Sequence, residues 1–189
     1  MSAQPSKRVS DTVTRLAQIM TPSDANVLGH VFGGSILAMV DLTASATAQK
    51  FAGTICVTAS LDRVDFHEPV EVGNLVEMEG YVSYVGNTSL EVTIDVFATN
   101  LAKGERRQTN TARVTMVAIK DGKPTPVPRL VCENREEKIR FLEGFARRNL
   151  RQSRIEQMTH LRAKLDGSTD EQLDAWLDSP DPVADMIED

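Results

Sequence analysis

Two periodicities divide this chain. Between Ser35 and Ala52 nearly every residue is apolar or small, a run of helical length that closes at Gly53, a natural C-terminal stop. Ser35 is suited to cap its start. Beyond Gly53 the period shortens to two. Residues 56–66 read as a strand with Val57, Ala59 and Leu61 on one face. Val64 and Phe66 fall in the opposite phase, which predicts a bulge near Asp62 and Arg63. After a turn at 67–74, residues 75–85 and 88–99 read as paired strands joined at Gly86-Asn87, a type I′ hairpin signature. In the second of them Leu90, Val92, Ile94 and Val96 alternate with Glu91, Thr93 and Asp95. A last strand over 107–119 turns Ala112, Val114, Met116 and Ala118 inward. Residues 9–20 mix β-branched and polar positions as an edge strand does.

One strand, one long helix and a meander of four strands predict an α+β domain over residues 9–123, its sheet wrapping one face of the helix. Pro124, Pro126 and Pro128 make 124–132 an extended linker. Residues 133–189 form a charged helical extension. Its first part, 133–164, is a basic helix with a patchy apolar stripe (Leu142, Phe145, Ile155, Leu161) that fits lying on another surface. Residues 167–189 hold eight acidic residues and neither Lys nor Arg. There Thr169 and Gln172 form a capping box for a short helix. This acidic tail is suited to dock on the basic helix of its own chain or of a neighbour.

Composition narrows the function. At 189 residues, 41% hydrophobic and 25% charged, the chain can bury a core. Its net charge of -6 and its lack of aromatic residues among the basic ones argue against a nucleic-acid partner. Two cysteines, Cys56 and Cys132, make no disulfide framework, and three histidines without ligand partners give no metal signal. The first residues lack the apolar run of a signal peptide, so a cytoplasmic location is expected. The 35–52 helix carries Asp41, Thr43, Thr47, Gln49 and Lys50, which fits a buried helix better than a membrane span.

The candidate chemistry gathers between Pro22 and Asp41. Pro22, Ser23, Asp24, Asn26 and Gly29 are turn formers, and Gly33-Gly34 permits a close backbone approach at the helix start. Asp41 is the one charged residue from Ile36 to Gln49. A carboxylate on such a helix is hydrogen-bonded, protonated or catalytic.

The block from Asp24 to Gly34, with Met39-Val-Asp41, Cys56-Val-Thr-Ala-Ser60 and Asp65-Phe-His-Glu-Pro69, resembles the hotdog-fold acyl-CoA thioesterases. The likeness is to the cytosolic acyl-CoA hydrolase type with a single hotdog domain per chain. It extends through Gly86-Asn-Thr-Ser-Leu-Glu91 and Met116 to Pro128, and covers roughly residues 10–148. The resemblance implies a curved antiparallel sheet around a long helix, homodimers with a continuous sheet, and trimers of those dimers. It also implies hydrolysis of acyl-CoA to CoA and a fatty acid with no metal and no cofactor beyond the coenzyme A of the substrate. It carries function onto Asn26 and Asp41. Asn26 reads equally as an Asx-turn residue. His30 stands where relatives often have Asn or Asp; a catalytic part for it competes with that of an ordinary loop histidine. For coenzyme A the resemblance points to Arg63, Val64 and Phe66 and to the hairpin Gly86, Asn87, Thr88 and Ser89.

Thioester hydrolysis needs a base or nucleophile and donors for the developing oxyanion. Asp41 can be the first, in either role, and the backbone amides of Gly33 and Gly34 the second. Gly34 and Asp41 lie about 10 Å apart along a helix, too far to touch one carbonyl carbon. Asp41 of one subunit is therefore expected to work with Asn26 and the glycine amides of its partner. A hydroxyacyl dehydratase, using His30 with a carboxylate, and a non-catalytic acyl-CoA sensor are the competing readings.

Overall fold

In the computed structural model, which describes residues 5–62, 64 and 68–188, the long apolar run folds as helix α1 (Gly33–Ala52). It starts ahead of Ser35. Phe32 takes the N-cap position without a side-chain cap, and Ser35 sits in the first turn, its amide donating to the Phe32 carbonyl at 2.9 Å. Gly53 ends the helix as expected, left-handed at φ 71°. Ile36, Met39, Val40, Thr43, Ala44, Thr47, Ala48 and Phe51 are buried, a stripe at spacings of three and four. The helix is thus buried on one face only, and Asp41 and Leu42 lie on the other, exposed. The buried Thr43 and Thr47 hydroxyls donate to the carbonyls of Met39 and Thr43, at 2.8 and 2.7 Å, so neither is left unsatisfied.

Around α1 curls an antiparallel sheet, and β1 (Ser6–Arg8) precedes it. Strands β2 (Thr14–Ile19), β3 (Ile55–Leu61), β4 (Leu75–Val85), β5 (Ser89–Asn100) and β6 (Glu105–Lys120) are ordered β2-β4-β5-β6-β3. All five pack against α1. Gly80 of β4 lets the helix close in, because a Cβ there would lie 2.6 Å from the Thr47 hydroxyl. Leu90, Val92, Ile94 and Val96 on β5 face Ala112, Val114, Met116 and Ala118 on β6 in the core, as the alternation predicts.

At four places the structure departs from the sequence pattern. Glu91 and Thr93, in the polar phase of the β5 alternation, are buried, because helix α2 (Arg135–Asp166) begins by covering the outer sheet face. Phe141 lies 5.1 Å from the Tyr84 ring, and Ser83 donates to the Glu91 carboxylate at 2.7 Å while accepting from Thr93 at 2.9 Å. The β4–β5 hairpin closes with the Gly86 amide on the Ser89 carbonyl, so Asn87-Thr88 is its tip, and neither has the positive φ that a type I′ turn requires. In β3 the apolar phase points outward. Ile55 and Val57 are exposed while Cys56 is buried, and a register shift falls between Thr58 and Ser60; Arg63 of the expected bulge lies outside the described residues. The expected strand over 9–20 shrinks to β2.

The proline-rich stretch is extended and pinned. β7 (Lys123–Pro124) pairs with β6, the Val127 amide donates to the Asn87 carbonyl, and β8 (Arg129–Val131) runs parallel to β1. Two compact units divide at Gly144 and Phe145. In the second, the expected capping box of Thr169 and Gln172 opens α3 (Asp170–Leu177), and α4 (Pro182–Glu188) follows.

Candidate active site

The loop before α1 is closed by its own polar groups. The Thr21 amide and hydroxyl both donate to Asp24, at 2.8 Å each, and hold its carboxyl below the usual range. The Phe32 amide donates to the Asp24 carbonyl, and Ala25 and Val31 form a bridge. Inside this ring, Asn26 Oδ1 accepts from the amides of Leu28 and His30 at 2.9 and 3.2 Å. That is the Asx-turn arrangement, and among the described residues nothing accepts from the amide nitrogen. His30 Nδ1 lies 3.1 Å from the Glu71 carboxylate, so its partner is Glu71 and not Asp41.

Because Phe32 provides no side-chain cap, the amides of Gly33 and Gly34 open α1 without an acceptor among the described residues. They carry the positive end of the helix dipole. A Cβ on Gly34 would run into the Phe32 ring, so tight packing also asks for glycine there.

Two turns along α1, Asp41 Oδ1 accepts a 2.5 Å hydrogen bond from the Thr58 hydroxyl. Thr58 is a site residue that sequence reasoning missed. It shares its strand face with buried Cys56, toward α1, whereas the sequence pattern singled out the other face, with Val57, Ala59 and Leu61. Choosing the phase of Cys56 would have aimed Thr58 at the helix. Burial pushes the Cys56 thiol up to about 11, which keeps it neutral and unreactive at physiological pH. Asp41 is therefore the group at this edge suited to supply a base or a nucleophile. Among the described residues β3 pairs with β6 alone, and its other edge carries Ile55, 64% exposed, with Val57, Leu61 and, on α1, Leu42 also exposed. Val27, Leu28 and Phe32 of the loop are exposed too. Among the described residues of one chain, Asn26 and the glycine amides hydrogen-bond to neither Asp41 nor Thr58, which agrees with the helical spacing.

Of the residues assigned to coenzyme A, Arg63 and Phe66 lie outside the described residues, and Val64 packs against the core. Gly86, Asn87, Thr88 and Ser89 form the hairpin. It sits level with the Asp41 partner: Leu90 and Thr58 are both register partners of Met116, which sets them two strand spacings, about 10 Å, apart. Gly86 and Asn87 border a cavity of about 400 Å³ with Val85, Pro128, Arg129, Leu130 and Phe141, and Arg129 supplies its cation. Two further arginines, Arg106 and Arg107, pair with Glu77 at 3.1 Å and Glu68 at 2.6 Å. Among the described residues no group of His, Cys, Asp and Glu could hold a metal, and no helix is long and apolar enough to cross a membrane.

Residues 28–105 match the family model of the thioesterase superfamily. An uncharacterized acyl-CoA thioester hydrolase of Bacillus subtilis is 39% identical over 134 residues, 70% of this chain and 78% of that protein. A hexameric acyl-CoA thioesterase of known structure has a TM-score of 0.77 at 41% identity, covering 80% of this chain and 97% of its own. The Staphylococcus aureus acyl-CoA hydrolase in complex with butyryl coenzyme A and coenzyme A superposes with a TM-score of 0.75 at 31% identity, over 84% and 99% of the two chains. It has also been solved as variants with alanine replacing an asparagine, an aspartate or a threonine. A curled antiparallel sheet around one long helix, an extended sequence match and these structural neighbours agree: the chain is a hotdog-fold member of the thioesterase superfamily and belongs to its acyl-CoA thioester hydrolases.

Proposed function

We propose that this chain hydrolyses acyl-CoA to coenzyme A and a carboxylic acid at a site shared by two copies. One copy provides Asp41 oriented by Thr58, and its partner provides Asn26 with the amides of Gly33 and Gly34. The observation that carries this reading is the Thr58–Asp41 bond on an open, apolar sheet edge. The hydroxyl holds one carboxylate oxygen and leaves the other to take a proton from water or to attack the thioester carbon. Pairing two β3 edges would make one continuous sheet, cover Ile55, Val57, Leu61 and Leu42, and take Asp41 out of bulk water. In this arrangement the exposed tip Val27-Leu28 reaches across the interface, and the glycine amides and the Asn26 amide nitrogen supply oxyanion donors.

The alanine variants of the S. aureus hydrolase support these residues. Their asparagine, aspartate and threonine are separated by fifteen and seventeen positions, as are Asn26, Asp41 and Thr58 here. The Gly86–Ser89 hairpin, with Arg129 beside it, is suited to the pantetheine and phosphates of coenzyme A. The occurrence of hexamers among the neighbours supports a trimer of dimers, and a cytoplasmic location fits this substrate.

Thiol release from an acyl-CoA series tests the reading. Wild type should release free thiol, and Asp41→Asn should lower kcat by about 10³-fold or more through loss of the base or nucleophile. Asp41→Asn activity within tenfold of wild type would overturn the role of Asp41. Tight acyl-CoA binding by wild type without thiol release at any chain length would favour a sensor.

A further inference from the structure

The second unit is bipolar. Residues 145–166 carry six Lys or Arg and two acidic residues, whereas residues 167–189 carry eight acidic residues and no basic one. On α2, Arg151, Arg154, Ile155, Met158, Thr159 and Arg162 line an open groove of about 580 Å³. Its apolar floor is uncovered: Ile155 and Met158 are 54% and 55% exposed. Arg162 pairs with Asp166 at 2.7 Å, but Arg154 has no carboxylate partner among the described residues.

The chain's own tail does not fill this groove. Among the described residues it folds back on the end of α2, where the Lys164 ammonium lies 5.7 Å from the Trp176 ring centre and donates to the Met186 carbonyl at 2.8 Å. The surface the tail then turns outward is the complement of the groove. Asp170, Glu171, Asp174, Asp178, Asp181 and Asp185 are exposed there, interleaved with exposed Leu177 and Val183.

We propose that the arginine-rimmed groove of α2 receives the acidic α3–α4 segment of a neighbouring copy of this chain. Leu177 and Val183 seat on Ile155 and Met158, and carboxylates of the segment meet Arg154 and its neighbours through charge-assisted hydrogen bonds. Groove and segment are different surfaces of one chain, so the contact is head to tail, and each copy offers both halves. Repeated under rotation, such a contact closes a ring, unlike a two-fold pairing of sheet edges, which stops at two chains. The contact uses no residue of the proposed catalytic site and stands or falls apart from it. Opposite charges on the two faces make it strongest at low ionic strength.

Sedimentation velocity of the full-length protein tests this, with wild type, Arg154→Glu, Asp174→Arg/Asp178→Arg and the three changes together. Wild type should sediment as an assembly larger than a dimer at about 0.05 M salt and shift toward the dimer at about 0.5 M. Each one-sided reversal should weaken the larger assembly about tenfold or more, and the combined variant should recover it to within about threefold of wild type. Melting curves control for folding, and Arg154→Gln replaces Arg154→Glu if the latter melts early. A wild type that stays dimeric, reversals that leave the mass unchanged, or no recovery in the combined variant would each overturn the proposal. So would an Arg154→Glu chain of unchanged mass whose only defect is a raised KM for acyl-CoA, since the groove would then serve a phosphate.

Discussion

At the scale of single residues, one side chain was legible and its companion was not. Asp41 stood out because nothing else from Ile36 to Gln49 is charged. Thr58 did not, because a threonine on a strand is unremarkable until the strand's phase is known, and here the apolar phase is the outward one. The Thr58–Asp41 bond joins a hydroxyl to a charged group, an interaction of about 1.5–3 kcal/mol. Thr58→Val, which keeps the shape and removes the donor, should therefore cut kcat/KM about 10- to 100-fold in steady-state assays. Its unfolding free energy should move by less than about 1 kcal/mol, because Thr58 and Asp41 are both exposed in the single chain and water there replaces most of the lost bond. Tyr81 gives a pH-dependent expectation. Burial, with Asp95 beside it, pushes its phenol up to about 12. The unfolded chain ionises this tyrosine near its ordinary value of about 10, while the folded chain keeps it neutral. Its stabilising effect is thus whole below about pH 10 and is lost between about pH 10 and 12. Ultraviolet titration should show one late phenol that Tyr81→Phe removes; ionisation of Tyr81 near pH 10 in the folded protein would contradict its burial under α2.

Elements were legible where pattern and environment agree. β4, β5 and β6 alternate cleanly, and their expected ends fall within two residues of the observed ones. Prediction failed at edges and starts, where a second surface decides. β3 exposes its apolar phase, α1 begins at Gly33 rather than at its best capping residue, and the outer faces of β4 and β5 are covered by a helix more than forty residues further on. That cover depends on Gly144, where a Cβ would lie 2.5 Å from Tyr84 Cβ and 3.1 Å from the Glu91 carboxylate. Alanine in a helix gains up to about 1 kcal/mol over glycine, but overpacking a close contact costs about 1–3 kcal/mol. The clash is with a β-carbon held by its own strand, so the steric cost should win. Gly144→Ala should lower the unfolding free energy by about 1–2 kcal/mol in urea titrations.

For the molecule as a whole, the switch from helical to two-residue periodicity announced an α+β domain, and the motifs carried its family. What the alternating pattern cannot show is where a second chain binds, since an apolar edge strand reads the same whether its own core or a partner covers it. The central claim is that Asp41 and Thr58 of one copy act with Asn26, Gly33 and Gly34 of another. Co-expressed Asp41→Ala and Asn26→Ala chains test it most directly. If the site is shared, random pairing gives mixed dimers with one intact site and one doubly damaged site, and activity should return to about a quarter of wild type per chain. If each chain holds its own complete site, the mixture will show no more activity than the mean of the two variants alone, and the shared site is wrong.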